Sequence, residues 1–235
     1  FITQIYVAFL KRRSKFILKL KHIIMKKIAL TFASALLIVF ASCKDAKKSE
    51  ESKSVEATSE ATEMFSLVQD STKVSFTAYK TTDKVPVGGM FKKINFTKTN
   101  SGATAMEALN GTEFSIPVSS LFTNDPTGTR DPKLLEFFFG VLKDTELISG
   151  VFKVDGDQGS IDVTLNGETQ NIPLAYEMNG DDKITFTGTM DLANWNAMDA
   201  VASINKACEI LHTGKDGVSK TWSEVAVKAE VLLTK

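Results

Sequence analysis

From about Met64 onward the chain alternates between apolar and polar positions. Val74, Phe76 and Ala78 are separated by Ser75 and Thr77, Phe114, Ile116 and Val118 by Ser115 and Pro117, and Ile161, Val163 and Leu165 by Asp162 and Thr164. The same beat runs through Ile172, Leu174, Tyr176 and Met178, then through Ile184, Phe186, Gly188 and Met190. It is most regular in Val225, Val227, Ala229, Val231 and Leu233. A period of two places one face of a strand against an apolar interior and the other in water. The spacers fit hairpins: Asp155-Gly156-Asp157, Asn166-Gly167 and Asn179-Gly180-Asp181 supply the positive φ of tight turns and join four consecutive strands into an up-and-down meander. Gly88-Gly89, inside an early strand, reads as a bulge or sharp bend of the kind barrels use at corners. The pattern predicts an all-β domain over residues 64–235, an antiparallel barrel of roughly eight strands.

Two segments break the alternation. Residues 132–143 (PKLLEFFFGVLK) read as a short helix with Asp131 as N-cap and Pro132 at the first helical position. Leu192, Trp195, Met198, Val201, Ile204, Cys208 and Leu211 recur every three or four residues, an amphipathic helix capped by Asp191 and ended at Gly214. This second helix is expected to lie across one mouth of the barrel, with Ala207, Cys208 and Ile210 half-buried.

Charge divides the chain. The 42 residues before Cys43 hold eight Lys or Arg and no acid, whereas from Cys43 onward 20 basic residues face 28 acidic ones. The neutral total is the sum of a basic leader and an acidic domain. That domain contains one arginine, Arg130, and lacks the clustered cations that phosphate neutralisation requires, which excludes nucleic acid as a partner class.

The leader itself is ordered. Met25, Lys26 and Lys27 precede an apolar run from Ile28 to Phe40, and Ala41-Ser42-Cys43 ends it. The run is shorter than the roughly 20 residues of a membrane span and suits a secretory signal. Residues 25–42 are therefore expected to be a lipoprotein signal peptide, with small residues before an acylated Cys43 and Phe40 where an aliphatic residue is usual. The competing reading is a plain signal peptide cut near Ser42. Residues 1–24, which open on Phe1, are read as upstream of a true start at Met25. Residues 43–63 lack any aromatic side chain and are read as a flexible tether. These features together predict an exported protein, periplasmic or held on the outer membrane, with the cell surface as a further destination. With Cys43 acylated, Cys208 has no partner for an intramolecular disulfide and reads as a small packed hydrophobe.

Candidate chemistry is sparse. The mature chain holds one histidine, His212, which argues against a zinc site and against a Ser-His-Asp or Cys-His nucleophile. Gly88-Gly89 lacks the Lys-Ser or Lys-Thr of a phosphate-cradling loop. No cofactor is expected, and no enzyme activity is supported. The period-two beat instead points Phe76, Phe114, Ile116, Val163, Tyr176 and Phe186 inward, where side chains touch either each other or a guest. Two readings stay open: a hollow barrel that binds an apolar ligand, and a self-filled structural or interaction barrel. Arg130 likewise has two roles open to it, meeting an anionic head group at the mouth or fixing the loop by an ion pair. Phe137-Phe138-Phe139 divides between plugging the barrel and touching ligand.

The order of several short motifs carries more. Val74 and Phe76 are followed by Val87-Gly88-Gly89-Met90-Phe91, Ser119-Ser120-Leu121-Phe122-Thr123, and Arg130-Asp131 before Leu134 and the phenylalanine triplet. Thr164-Leu165-Asn166-Gly167, Gly188 and a closing Glu224-Val225 complete the series. This order resembles the YceI-like family of exported polyisoprenoid-binding proteins, across roughly residues 65–235. The resemblance implies a lipocalin-like barrel whose interior holds a long isoprenoid chain, such as a quinone tail or polyprenyl carrier. The family often has a cation in the central hairpin where this chain has Asn166, which leaves the head-group preference open.

Overall fold

The computed structural model describes residues 63–144 and 146–235. Cys43, the signal segment 25–42, residues 1–24 and all but the last residue of the 43–63 tether lie outside the described residues.

Alternation becomes twelve strands: β1 (Phe65–Leu67), β2 (Lys73–Lys80), β3 (Val85–Phe91), β4 (Asn95–Lys98), β5 (Ser101–Gly102), β6 (Glu113–Pro117), β7 (Leu121–Phe122), β8 (Leu147–Asp155), β9 (Gln158–Leu165), β10 (Glu168–Met178), β11 (Lys183–Asp191) and β12 (Glu224–Thr234). Among the described residues four helices interrupt them: α1 (Ala105–Leu109), α2 (Arg130–Phe137), α3 (Met198–Ala207) and α4 (Glu209–His212). Pairing is antiparallel, along the path β4-β6-β8-β9-β10-β11-β12-β2-β3-β7, with β1 and β5 as a side pair against β12.

The path holds ten strands where the beat predicted eight, because two runs are each broken in the middle. Residues 92–94 separate β3 from β4, and a 3-10 turn at Val118–Ser120 separates β6 from β7. The β6–β7 stretch pairs with β4 and β8 at one end of the path and with β3 at the other. The two ends of the path therefore lie on one stretch of chain, and the sheet closes. The Lys92 amide donates to the Ser120 carbonyl across the break (2.9 Å).

The hairpins form where the turn residues stand. Asn166 and Gly167 both have positive φ (55° and 75°) between Leu165 and its partner Glu168, the geometry of a two-residue hairpin turn. Gly88-Gly89 does not bulge. The β2–β3 register runs unbroken through Phe76↔Gly89 and Thr77↔Gly88. Gly89 instead makes room for an aromatic ring, since a Cβ there would strike the Phe76 side chain lying over it. Gly150 does the same for Phe114, its cross-strand partner. The register irregularity sits in β4, between Phe96 and Lys98.

The barrel has two unlike ends. At one, α1 and the side pair β1–β5 cover Phe152, Ile184, Phe186, Val231 and Leu233, a packed floor in which Ile184 and Leu233 are 1% and 2% exposed. Thr104 caps α1 by accepting from the Glu107 amide, and the Glu107 carboxylate accepts from the Ala103 amide. At the other end β2 and β9 finish, β12 begins, and α2, α3 and α4 gather.

Both predicted helices are shorter and more broken than their periodicity suggested. The first spans Arg130–Phe137, and a 3-10 turn at Phe139–Val141 follows it. Its amides are held by Asp125, which accepts from Thr129 (3.1 Å) and Arg130 (3.0 Å). Asp131, expected as the N-cap, instead accepts from the Thr123 amide and hydroxyl. The second region begins as a 3-10 turn at Leu192–Trp195, which Asp191 does cap through the Ala193 amide. Asn196 then turns left-handed (φ 52°), and α3 starts at Met198. Cys208 is half-buried, but Ile210 is 91% exposed and not half-buried as expected.

Candidate functional site

Between floor and mouth the barrel is hollow. A cavity of about 480 Å³ runs along its axis, within the range of small-molecule sites. Its wall is built from the inward row of each strand: Val74, Phe76 and Ala78 of β2, Phe114 and Ile116 of β6, Ile161, Val163 and Leu165 of β9, and Val225, Val227 and Ala229 of β12. The row from Val74 to Lys80 rises about 20 Å at 3.3 Å per residue, so the space is long as well as apolar. Small residues on neighbouring strands set the aromatic rings flat against the wall: Phe76 over Gly89 and Phe114 over Gly150 leave the axis open.

Five of the six inward residues singled out by the sequence, Phe76, Phe114, Ile116, Val163 and Phe186, border this cavity. Tyr176 does not. It stands opposite Phe186 in the β10–β11 ladder, and its ring packs 5.9 Å from Phe186 within the floor. Phe186 is 3% exposed and also stacks on Phe152 at 4.9 Å, so it is both floor and end-stop of the cavity. Of the phenylalanine triplet, Phe138 and Phe139 face the cavity and Phe137 does not. Phe139 is held edge-on to Phe138 and Phe91.

The upper wall comes from the helices: Leu134 of α2, Val201 and Ile204 of α3, then Cys208, Leu211 and His212. They are held to the barrel by Trp195, 1% exposed, whose indole donates to the Val163 carbonyl (2.9 Å). Asn166, at the hairpin tip, donates to the Trp195 and Asn196 carbonyls and accepts from the Lys143 amide. Its side chain is committed to joining the hairpin to the helices.

Polar groups gather at the mouth. Arg130 borders the cavity and lies 3.9 Å from Asp125. The Asp125 carboxyl is held down at about 2, first by the Thr127 hydroxyl (2.6 Å) and also by the amides of Arg130, Thr127 and Thr129, against the opposing effect of burial. His212 shares a 2.7 Å hydrogen bond with Thr221, which in turn donates to Asn205. Burial, with Lys80 and Lys133 nearby, pushes its imidazole below the usual range and towards the neutral form. Lys80 and Lys133 border the mouth and were not singled out from the sequence. Lys80 could have been found there, since it is the next beat after Val74, Phe76 and Ala78. Lys133 stands three residues after Arg130, on the same side of α2. Among the described residues, no three or more His, Cys, Asp or Glu side chains converge as a metal site would require.

The YceI-like domain matches residues 65–232, nearly the whole of the described barrel. The chain belongs to the YceI-like family. A polyisoprenoid binding domain from Saccharophagus degradans, implicated in plant cell wall breakdown, shares the fold at a TM-score of 0.52 and 13% identity, covering 72% of this chain and 97% of that one. BcnA of Burkholderia cenocepacia is 18% identical, with a TM-score of 0.47 over 72% of this chain and 99% of its own. The Campylobacter jejuni YCEI protein is 18% identical, with a TM-score of 0.42 over 63% and 85%. No curated protein sequence matches the chain.

Proposed function

We propose that this YceI-like protein is an exported lipoprotein, acylated at Cys43, whose barrel carries or sequesters a long isoprenoid-type lipid. The observation that carries the reading is the hollow, apolar cavity open at one end, in a family with a member named for polyisoprenoid binding. The wall is smooth hydrocarbon and aromatic surface, suited to a long apolar guest held by burial and not by directional bonds. Five inward residues, Phe76, Phe114, Ile116, Val163 and Phe186, are the proposed contacts for the tail. Burying about 20 isoprenoid carbons at roughly 0.8 kcal/mol each gains about 15 kcal/mol. Association costs about 4–15 kcal/mol, so affinity rests on how far the tail fills the space. A quinone tail or a polyprenyl carrier suits such a site. The hollow axis speaks against the self-filled alternative.

Organic extraction of the purified protein followed by mass spectrometry is the direct test. A co-purifying prenyl lipid, or stoichiometric uptake of a prenyl quinone, is the expected result. The absence of both a co-purifying lipid and quinone uptake would overturn the proposal. For the anchor, Cys43→Ala is expected to move the protein from washed membranes to the soluble fraction. Retention in membranes would mean that residues 25–42 hold it there uncleaved.

A further inference from the structure

The domain is acidic, yet the mouth of its cavity is not. From Cys43 onward acids outnumber bases 28 to 20, but the charged side chains that border the cavity are Lys80, Arg130, Lys133 and Lys228 against a single acid, Asp125. Lys228 is exposed on the outer face of β12, where it pairs with Glu230 (2.6 Å). Asp125 is occupied by the Thr127 hydroxyl and the amides at the start of α2, and Arg130 sits beside it. Lys80 and Lys133 remain. Both are half-buried, and among the described residues neither has a carboxylate within ion-pair distance. Lys80 ends the inward row of β2, and Lys133 reaches the same mouth from α2. Their fields meet at His212, whose imidazole both disfavour from taking up a proton.

Two ammonium groups without an ion-pair partner at the rim of an apolar tube concentrate positive potential at the one place where an amphiphile's head would sit, in a domain that is otherwise acidic. We propose that the mouth binds an anionic head group, so that the ligand is an acidic amphiphile: a phosphate or carboxylate on a long apolar chain, clamped by Lys80 and Lys133 with the tail in the barrel. This rests on the lipid-binding reading above and narrows it. A neutral quinone or alcohol head would leave both lysines without a partner. His212, joined to Thr221 through Nδ1 and held towards the neutral form by burial and the two lysines, completes the polar rim as a hydrogen-bonding group and not as a third cation.

Matched pairs test it on the purified full chain, by displacement of an apolar fluorophore: farnesyl phosphate against farnesol, and palmitate against hexadecanol. We expect at least one acid to bind about tenfold tighter than its alcohol, with the advantage shrinking as salt is raised. Which acid gains more identifies phosphate or carboxylate as the preferred head. The double variant Lys80→Gln/Lys133→Gln is expected to lose the advantage while binding the alcohols as before. Lys153→Gln, on the outer wall and paired with Asp162, is expected to keep it. The salt dependence of the unaltered protein gives an answer even if the double variant folds poorly. Acids and alcohols bound equally tightly, or an advantage that survives the double variant, would overturn the head-group inference and leave the lipid reading standing. If no member of either pair binds, both fall.

Discussion

The two ends of this barrel are made from the same alternating strands and do opposite things. At the floor, inward rows from β8, β11 and β12 converge with α1 until Ile184 and Leu233 are sealed. At the mouth the rows continue around the open cavity, and the row of β2 ends in Lys80. An eight-stranded barrel is just wide enough to be filled by side chains or to hold one small ligand. Here it does the first at one end and the second at the other. The packing of the rings marks where the change occurs. Rings lying over Gly89 and Gly150 hug the wall, whereas Phe186, flanked by Phe152 and Tyr176, closes the tube.

If the floor is true core, Leu233→Ala or Ile184→Ala is expected to cost about 2–5 kcal/mol in denaturant unfolding, since the surroundings have little room to collapse. Leu134→Ala, at the open end, removes a half-buried side chain that borders the cavity on one side and the core on the other. It is expected to cost about 1–2 kcal/mol, less than the floor variants, while weakening lipid uptake. Equal losses at both ends would erase the distinction. Phe186→Trp probes the boundary. Against Phe152 and Tyr176 the larger ring overpacks the floor, with an expected cost of about 1–3 kcal/mol and a shortened cavity. A stable variant with unchanged uptake would put the end of the cavity elsewhere.

The sequence made the strands and the four-strand meander legible because their cues are local: a period of two, and Asn-Gly or Asp-Gly where φ turns positive. Features that depend on a partner strand or a distant loop were not legible in the same way. Gly88-Gly89 reads equally as a bend or as a seat for a ring, and only the register opposite Phe76 separates the two. The true cap of α2 is Asp125, five residues before the helix, so the spacing that favoured Asp131 had no access to it. The Thr104 to Glu107 spacing is a capping signature that marks α1, but five residues hold too little periodicity to stand out from the strands around them. The inward set was legible to within Tyr176, since alternation gives the face but not the depth along the barrel. Whether the axis is open was not legible at all, because it depends on which small residue lies under which ring.

The smallest expected effect separates the ends by pH. The Asp125 carboxyl is held at about 2 in the folded protein, below the roughly 3.9 of an unfolded chain. A group with a lowered folded value binds fewer protons than its unfolded counterpart, so its stabilisation is complete above about pH 4 and is lost as pH falls towards 2. That stabilisation is local: it holds the turn at Thr127 and Thr129 and the first amide of α2 at Arg130. Asp162, Asp216 and Glu230 are also held low, so the global acid transition is shared among several groups. The amide resonances of Thr129 and Arg130 should nonetheless report Asp125, moving together with a midpoint near 2, while those of Ile184 and Leu233 at the floor stay fixed until the whole barrel unfolds. Asp125→Asn is expected to abolish the early movement and leave the floor signals unchanged. If floor and mouth amides instead shift together in the unaltered protein, the barrel responds to acid as one unit, and the mouth is no more loosely held than the core beneath it.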